Sequence, residues 1–150
     1  MIPVDGFYEW KKIGNVKQPF LIAMQSGESF TLAGLWENWK EPATGEWIRT
    51  FTIVTTDANE LVAQLHDRMP VIIAPADRER WMNPDEAPHD LLRPYPAELM
   101  KMWPVSTKVN SPKNEGRELI EPITLSSEMN EDEREIPRAN EATDQPADSQ

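Results

Sequence analysis

Residues 61–73 read LVAQLHDRMPVII. The first half is apolar with helix-like spacing and the second half is apolar and strand-like, yet His66, Asp67 and Arg68 stand between them. Charged groups at such a boundary usually face water, but here Met69, Pro70, Val71, Ile72 and Ile73 follow at once, so the backbone passes directly from charge into a buried interior. Upstream, IRTFTIVTT (48–56) is a β-branched strand pattern, and Asp57 is placed to cap a short helix through Leu65. The segment therefore predicts strand, short helix, and then a short buried strand at VIIA (71–74).

Working outward, the first 56 residues read as strands. VDGFYEWKK (4–12) alternates, with Val4, Tyr8 and Trp10 on one face and Asp5, Phe7 and Glu9 on the other. QPFLIAM (18–24) and FTLAGLWENW (30–39) follow, separated by the polar turn QSGES, and EPATGEW (41–47) is a second turn punctuated by Pro42 and Gly45. Downstream, APADRERWM (74–82) places Pro75 where a helix can start, running to about Met82. NPDEAPHDLLRPYPAELM (83–100) is broken by four prolines into helical turns and loops, and KMWPVSTKVN (101–110) is a last strand entering a polar loop. No βαβ alternation, glycine-rich phosphate loop or internal repeat is present, so the expected class is α+β with a mainly antiparallel sheet and short helices. The chain opens inside a strand at Met1-Ile2-Pro3 and several strands lack an obvious covering layer, which predicts a sheet incomplete at its N-terminal side.

Composition divides the chain. Residues 124–150 carry eight Asp or Glu against Arg134 and Arg138, which is -6 of the formal -11, and contain no aromatic residue. Such a segment cannot bury enough apolar surface to fold, so the expected organisation is a domain over 1–123 and a disordered acidic tail over 124–150. The domain holds all six Trp, a residue used either for large cores or for stacking on flat ligands, and composition does not separate the two. The acidic balance argues against indiscriminate binding of duplex DNA while leaving room for a locally basic groove. There is no cysteine, so the chain has no disulfide, thiolate metal site or Cys nucleophile of its own. No signal peptide or spanning segment is visible, and a soluble cytoplasmic protein is expected.

His66 is one of two histidines, the residue type whose unperturbed side chain can take or give a proton near neutrality, which suits proton transfer; the competing reading is a solvated imidazole at a helix end. Glu9 lies among Phe7, Tyr8 and Trp10, where desolvation would raise its pKa and make it a general acid; the competing reading is an exposed strand residue. Sequence spacing does not show whether the two meet. A Ser106, His66 and Asp67 triad is disfavoured because adjacent His and Asp rarely orient one another, and His66 and His89 have no metal-ligand spacing. Trp10, Trp36, Trp39 and Trp103 could stack on unpaired bases with Arg68, Lys108, Lys113 and Arg117 on phosphates, or the Trp could fill a core.

Four blocks in order, IPVDGFYEWKK (2–12), FTIVTTDAN (51–59), LHDRMPVII (65–73) and VSTKVNSPKNEGRELIEPI (105–123), resemble the SOS response-associated peptidase (SRAP) family of abasic site processing proteins. The resemblance implies a twisted, barrel-like antiparallel sheet that holds single-stranded DNA bearing abasic sites, crosslinks covalently to the sugar aldehyde and releases its own initiator Met. It implies a monomer without cofactor, metal or membrane contact, acting at the nucleoid in the DNA damage response. By motif, Glu9 matches the glutamate that protonates the opened sugar, and His66 the histidine that assists ring opening and Schiff-base chemistry. Thr55 matches a threonine beside the site, and Trp10 and Arg68 match channel residues facing DNA. The family's nucleophilic cysteine and an active-site asparagine belong to an N-terminal half not found here. The family reads Arg-Cys-x-Ile-Pro before DGFYEW, and Met1 stands at x, so the expectation is a chain started at an internal Met or a truncated remnant. A noncatalytic single-strand binding module is the alternative.

Overall fold

FLIAM (20–24) is the longest uninterrupted apolar run of the first strands, and only a strand covered on both faces can use it. In the computed structural model, which describes residues 1–125, it lies in β3 (Val16–Met24), the middle strand of a three-stranded antiparallel sheet between β2 (Phe7–Ile13) and β9 (Met100–Pro104). Leu21, Ile22, Ala23 and Met24 are all buried. Three further antiparallel pairs surround this sheet: β1 (Ile2–Val4) with β4 (Phe30–Leu32), β5 (Gly34–Lys40) with β6 (Trp47–Ile53), and β7 (Thr55–Asp57) with β8 (Arg68–Pro70). The one α-helix among the described residues, α1 (Arg78–Met82), follows a 3-10 turn begun by Pro75, as expected.

The main cluster joins Ile22, Met24, Phe30, Leu32, Val62, Met69, Ile72 and Met100, with Phe7 meeting Phe30 edge to face at 6.4 Å between centroids. A second cluster gathers Ala33, Val71, Ile73 and Leu91, flanked by Val54 and Trp81. Gly6 permits the tight corner between β1 and β2, because a Cβ there would lie 2.8 Å from the Ile22 carbonyl oxygen.

Among the described residues the sheet is mainly antiparallel but does not close into a barrel. The ladders are short and pass pairing from one to the next: Ala33 donates to the Val71 carbonyl, Val71 to Val54, and Val54 to Ala33. The expected face of Val4, Tyr8 and Trp10 is split by the same corner. Val4 and Phe7 both pack on the main cluster, whereas Tyr8 and Trp10 turn toward the C-terminal segment, bonding Leu119 and Asn110.

The helix expected from Asp57 to Leu65 is also corrected. Asp57 ends β7, opposite Arg68, and only a 3-10 turn (Val62–Gln64) forms. Asn59 organises it: its buried Oδ1 accepts from the Val62 N–H at 2.9 Å and its Nδ2 donates to the Tyr95 carbonyl at 2.7 Å. The strand expected at VIIA is corrected as well: β8 ends at Pro70, and of residues 71–74 only Ile72 pairs, in an isolated bridge with Leu32, although Val71, Ile72 and Ile73 are buried as anticipated. The acidic tail, beyond residue 125, lies outside the described residues.

Candidate active site

Strand β2 carries Glu9 and Trp10, and the turn ahead of β8 carries His66. These three side chains, far apart in sequence, line one pocket of about 450 Å³ together with Lys12, Lys17 and Asn110. Spacing had left their meeting open; the fold places the carboxyl, on the β2-β3-β9 sheet, and the imidazole, on the turn ahead of the β7-β8 pair, in the same cavity.

Glu9 is half-buried. Burial pushes its carboxyl above the ordinary value, opposed by the charge of His66 and by a hydrogen bond from the Trp10 backbone. The first effect prevails, so the acid holds its proton to higher pH than a surface glutamate. His66 is about half exposed, with Nδ1 3.0 Å from the Asp67 carboxylate and 3.0 Å from the Arg68 backbone N–H. The two partners exclude each other. A neutral ring with an unprotonated Nδ1 accepts from Arg68, whereas an imidazolium donates Nδ1–H to Asp67, so taking up a proton exchanges one bond for the other. An acid with a raised pKa in the same pocket as an imidazole with two hydrogen-bonding arrangements is suited to passing protons to and from a bound group.

Trp10 is partly exposed, and its indole N–H donates to Asn110 Oδ1 at 2.8 Å, which fixes the ring at the pocket wall. Thr55 and Arg68 do not line the pocket but form an adjoining cluster on β7 and β8. Arg68 donates to Asp57 Oδ1 at 2.9 Å and to the Thr55 carbonyl and hydroxyl at 2.9 and 3.2 Å. Its backbone N–H links this cluster to His66.

Other sequence candidates lie elsewhere. Ser106 caps a 3-10 turn by accepting from the Lys108 N–H, and His89 lines a separate pocket with Met1, Trp36 and Trp81. Among the described residues no three His, Cys, Asp or Glu side chains group as a metal site, and no helix is long and apolar enough to cross a membrane. Trp36 and Trp39 are exposed on the β5–β6 hairpin and so do not fill the core. Asn110, Lys12 and Lys17 were not singled out as pocket residues from sequence; the signal for Asn110 was its place in the fourth block and for Lys12 its position at the end of the first, while Lys17 lies outside the four blocks.

An open antiparallel α+β frame with a carboxyl and an imidazole lining one pocket defines the class of fold and site, and the comparisons specify it. The family model "SOS response associated peptidase (SRAP)" matches residues 1–112, and the chain belongs to that family. It is similar to the abasic site processing protein YoqW of Bacillus subtilis (strain 168), 45% identical over 126 residues, covering 81% of this chain and 56% of that protein. It is also similar to the abasic site processing protein HMCES of Gallus gallus, 35% identical over 148 residues, covering 83% of this chain and 44% of that protein. A crystal structure of a protein from Bacteroides thetaiotaomicron superposes with a TM-score of 0.74 at 28% identity, covering 82% of this chain and 56% of that one. The chain thus spans about half the length of the curated relatives it matches.

Proposed function

We propose that this chain binds single-stranded DNA and acts on abasic sites, with Glu9 as proton donor to the opening sugar and His66 as the partner that assists ring opening. The observation that carries the reading is the shared pocket: Glu9, His66 and Trp10 converge, and burial raises the acid's pKa above the ordinary value at the wall where a strand would lie. An abasic sugar opens to its aldehyde when the ring oxygen gains a proton and the anomeric hydroxyl loses one, so an adjacent acid and base serve the two ends of one step. Trp10 offers a stacking surface for a neighbouring base. Thr55 and Arg68 border the strand, with Arg68 held in place by Asp57 and Thr55.

Covalent capture of the aldehyde in the family's manner, and the associated release of an initiator Met, use a thiol-bearing N-terminus. These 150 residues contain no cysteine and supply no thiolate of their own. That observation favours a second reading, reversible recognition of abasic single strands without a crosslink.

One experiment addresses both. The protein is incubated with a labelled single strand carrying one abasic site and with the matching intact strand, and each is followed by anisotropy and by denaturing gel. Preferential binding of the abasic strand with a band that survives denaturation supports covalent processing, and preference without that band supports the recognition module. Equal binding of both strands, or none, contradicts the proposal. Where processing occurs, Glu9→Gln and His66→Ala should each slow it by about 10²- to 10⁴-fold, the usual range for acid–base groups.

A further inference from the structure

The rim of the pocket carries an arrangement that folding alone does not account for. In the β2–β3 ladder Lys12 sits directly opposite Lys17, one rung in from the hairpin tip at Ile13 and Val16. Directly opposed residues on one face of an antiparallel pair have Cβ atoms roughly 4.5–5.5 Å apart, and like charges there destabilise the pair. The hairpin turn is tight, with Gly14 at φ 55 as the first central residue, so the two stems cannot splay without breaking the ladder. Both lysines are exposed, and neither has an ion-pair partner among the described residues. Glu9, the acid that lines the same pocket, projects from the other face of β2 and makes no ion pair with either lysine.

Two lysines paired across a ladder and lining one pocket are complementary to a group whose negative charge is shared by two oxygens on one centre. Asn110 sharpens the match: its Oδ1 is taken by the Trp10 indole, which leaves its amide N–H groups as further donors on the same wall. We propose that Lys12 and Lys17, on the Trp10 face of β2, form a clamp for one backbone phosphate of the DNA strand at the edge of the pocket in which Glu9 and His66 address the sugar. The clamp rests on the functional reading above and adds to it a positioning site. It fixes the strand's register through the phosphate, while discrimination between abasic and intact sugars stays with the pocket.

The test is the salt dependence of binding. Anisotropy titrations of a labelled abasic single strand over a range of salt concentrations give the slope of log K against log salt, for the wild type, Lys12→Gln, Lys17→Gln and the double variant. Each phosphate neutralised on a single strand contributes about 0.7 to that slope, so the double variant should be shallower by about 0.7 while keeping its preference for the abasic strand. Lys12→Arg/Lys17→Arg, which keeps both charges, should restore most of the slope. Lys101→Gln, which removes the same charge from β9 on the far side of the sheet, should leave it unchanged. A double variant that melts normally and retains the wild-type slope overturns the clamp while leaving the functional reading intact. Wild-type protein that binds neither strand overturns both.

Discussion

Strand β3 and the β5–β6 hairpin are equally rich in large apolar side chains and are built into opposite environments. In β3, Ile22 is wholly buried, with β2 and β9 paired along the strand's two edges and Phe30, Leu32, Val62 and Met69 in the cluster it joins. In the hairpin, Trp36 is 65% exposed, and Phe51, its direct cross-strand partner, is 69% exposed. The opposite face of the same hairpin also leaves Leu35, Trp39 and Ile48 exposed. What holds the hairpin is local: its ladder, the Trp36–Phe51 pair, and cations resting on rings, with Arg49 5.0 Å from Trp36 and Lys40 5.8 Å from Trp47. Apolar alternation therefore reports that a segment is a strand, and does not report what, if anything, lies against it.

The contrast makes graded predictions. Ile22→Ala should cost about 2–5 kcal/mol in denaturant unfolding, since it opens a cavity where β3 is covered on both faces. A smaller loss would show that the core is looser than its burial indicates. Asn59→Ala should cost about 1–3 kcal/mol by stranding the Val62 N–H and the Tyr95 carbonyl, and should unfold the turn that brings His66 to the pocket. Phe51→Ser should cost no more than about 1 kcal/mol, the scale of one cross-strand pair. A core-sized loss there would mean that the hairpin is covered in solution.

Glu9→Gln should have the smallest effect on stability, and one that depends on pH. Because the folded protein raises the Glu9 pKa, its contribution is fully present below the ordinary carboxylate range and is lost as pH rises through the raised value. The variant should remove that decline, and comparison of melting temperatures across the acid range checks it.

The features legible in the sequence were those set by near neighbours. The all-apolar run of β3, the helix start at Pro75 and the turn at QSGES each follow from a few consecutive residues, and each is found. The SRAP family itself was legible because four blocks keep their order. Where ladders break was not. Ala33, Val54 and Val71 bond to one another across long separations, and nothing in a window around any of them announces it. The helix expected after Asp57 failed for a related reason: Arg68 competes for that aspartate across a ladder, and the true organiser, Asn59, draws its partner Tyr95 from a distant loop. The pocket was half legible. Glu9, Trp10 and His66 could be selected by residue type and motif, but their convergence depends on how separate sheets pack, and the placement of Lys17 opposite Lys12 on the β2–β3 register.

The central claim is that Glu9 and His66 act as neighbours in one pocket, and the most direct measurement is the NMR titration of the Glu9 carboxyl in wild-type protein and in His66→Ala. The account predicts a Glu9 that titrates above the ordinary glutamate range and moves higher still when His66 is removed, because burial raises its pKa and the charge of His66 lowers it. A Glu9 that titrates as a surface glutamate and does not respond to the loss of His66 would contradict it.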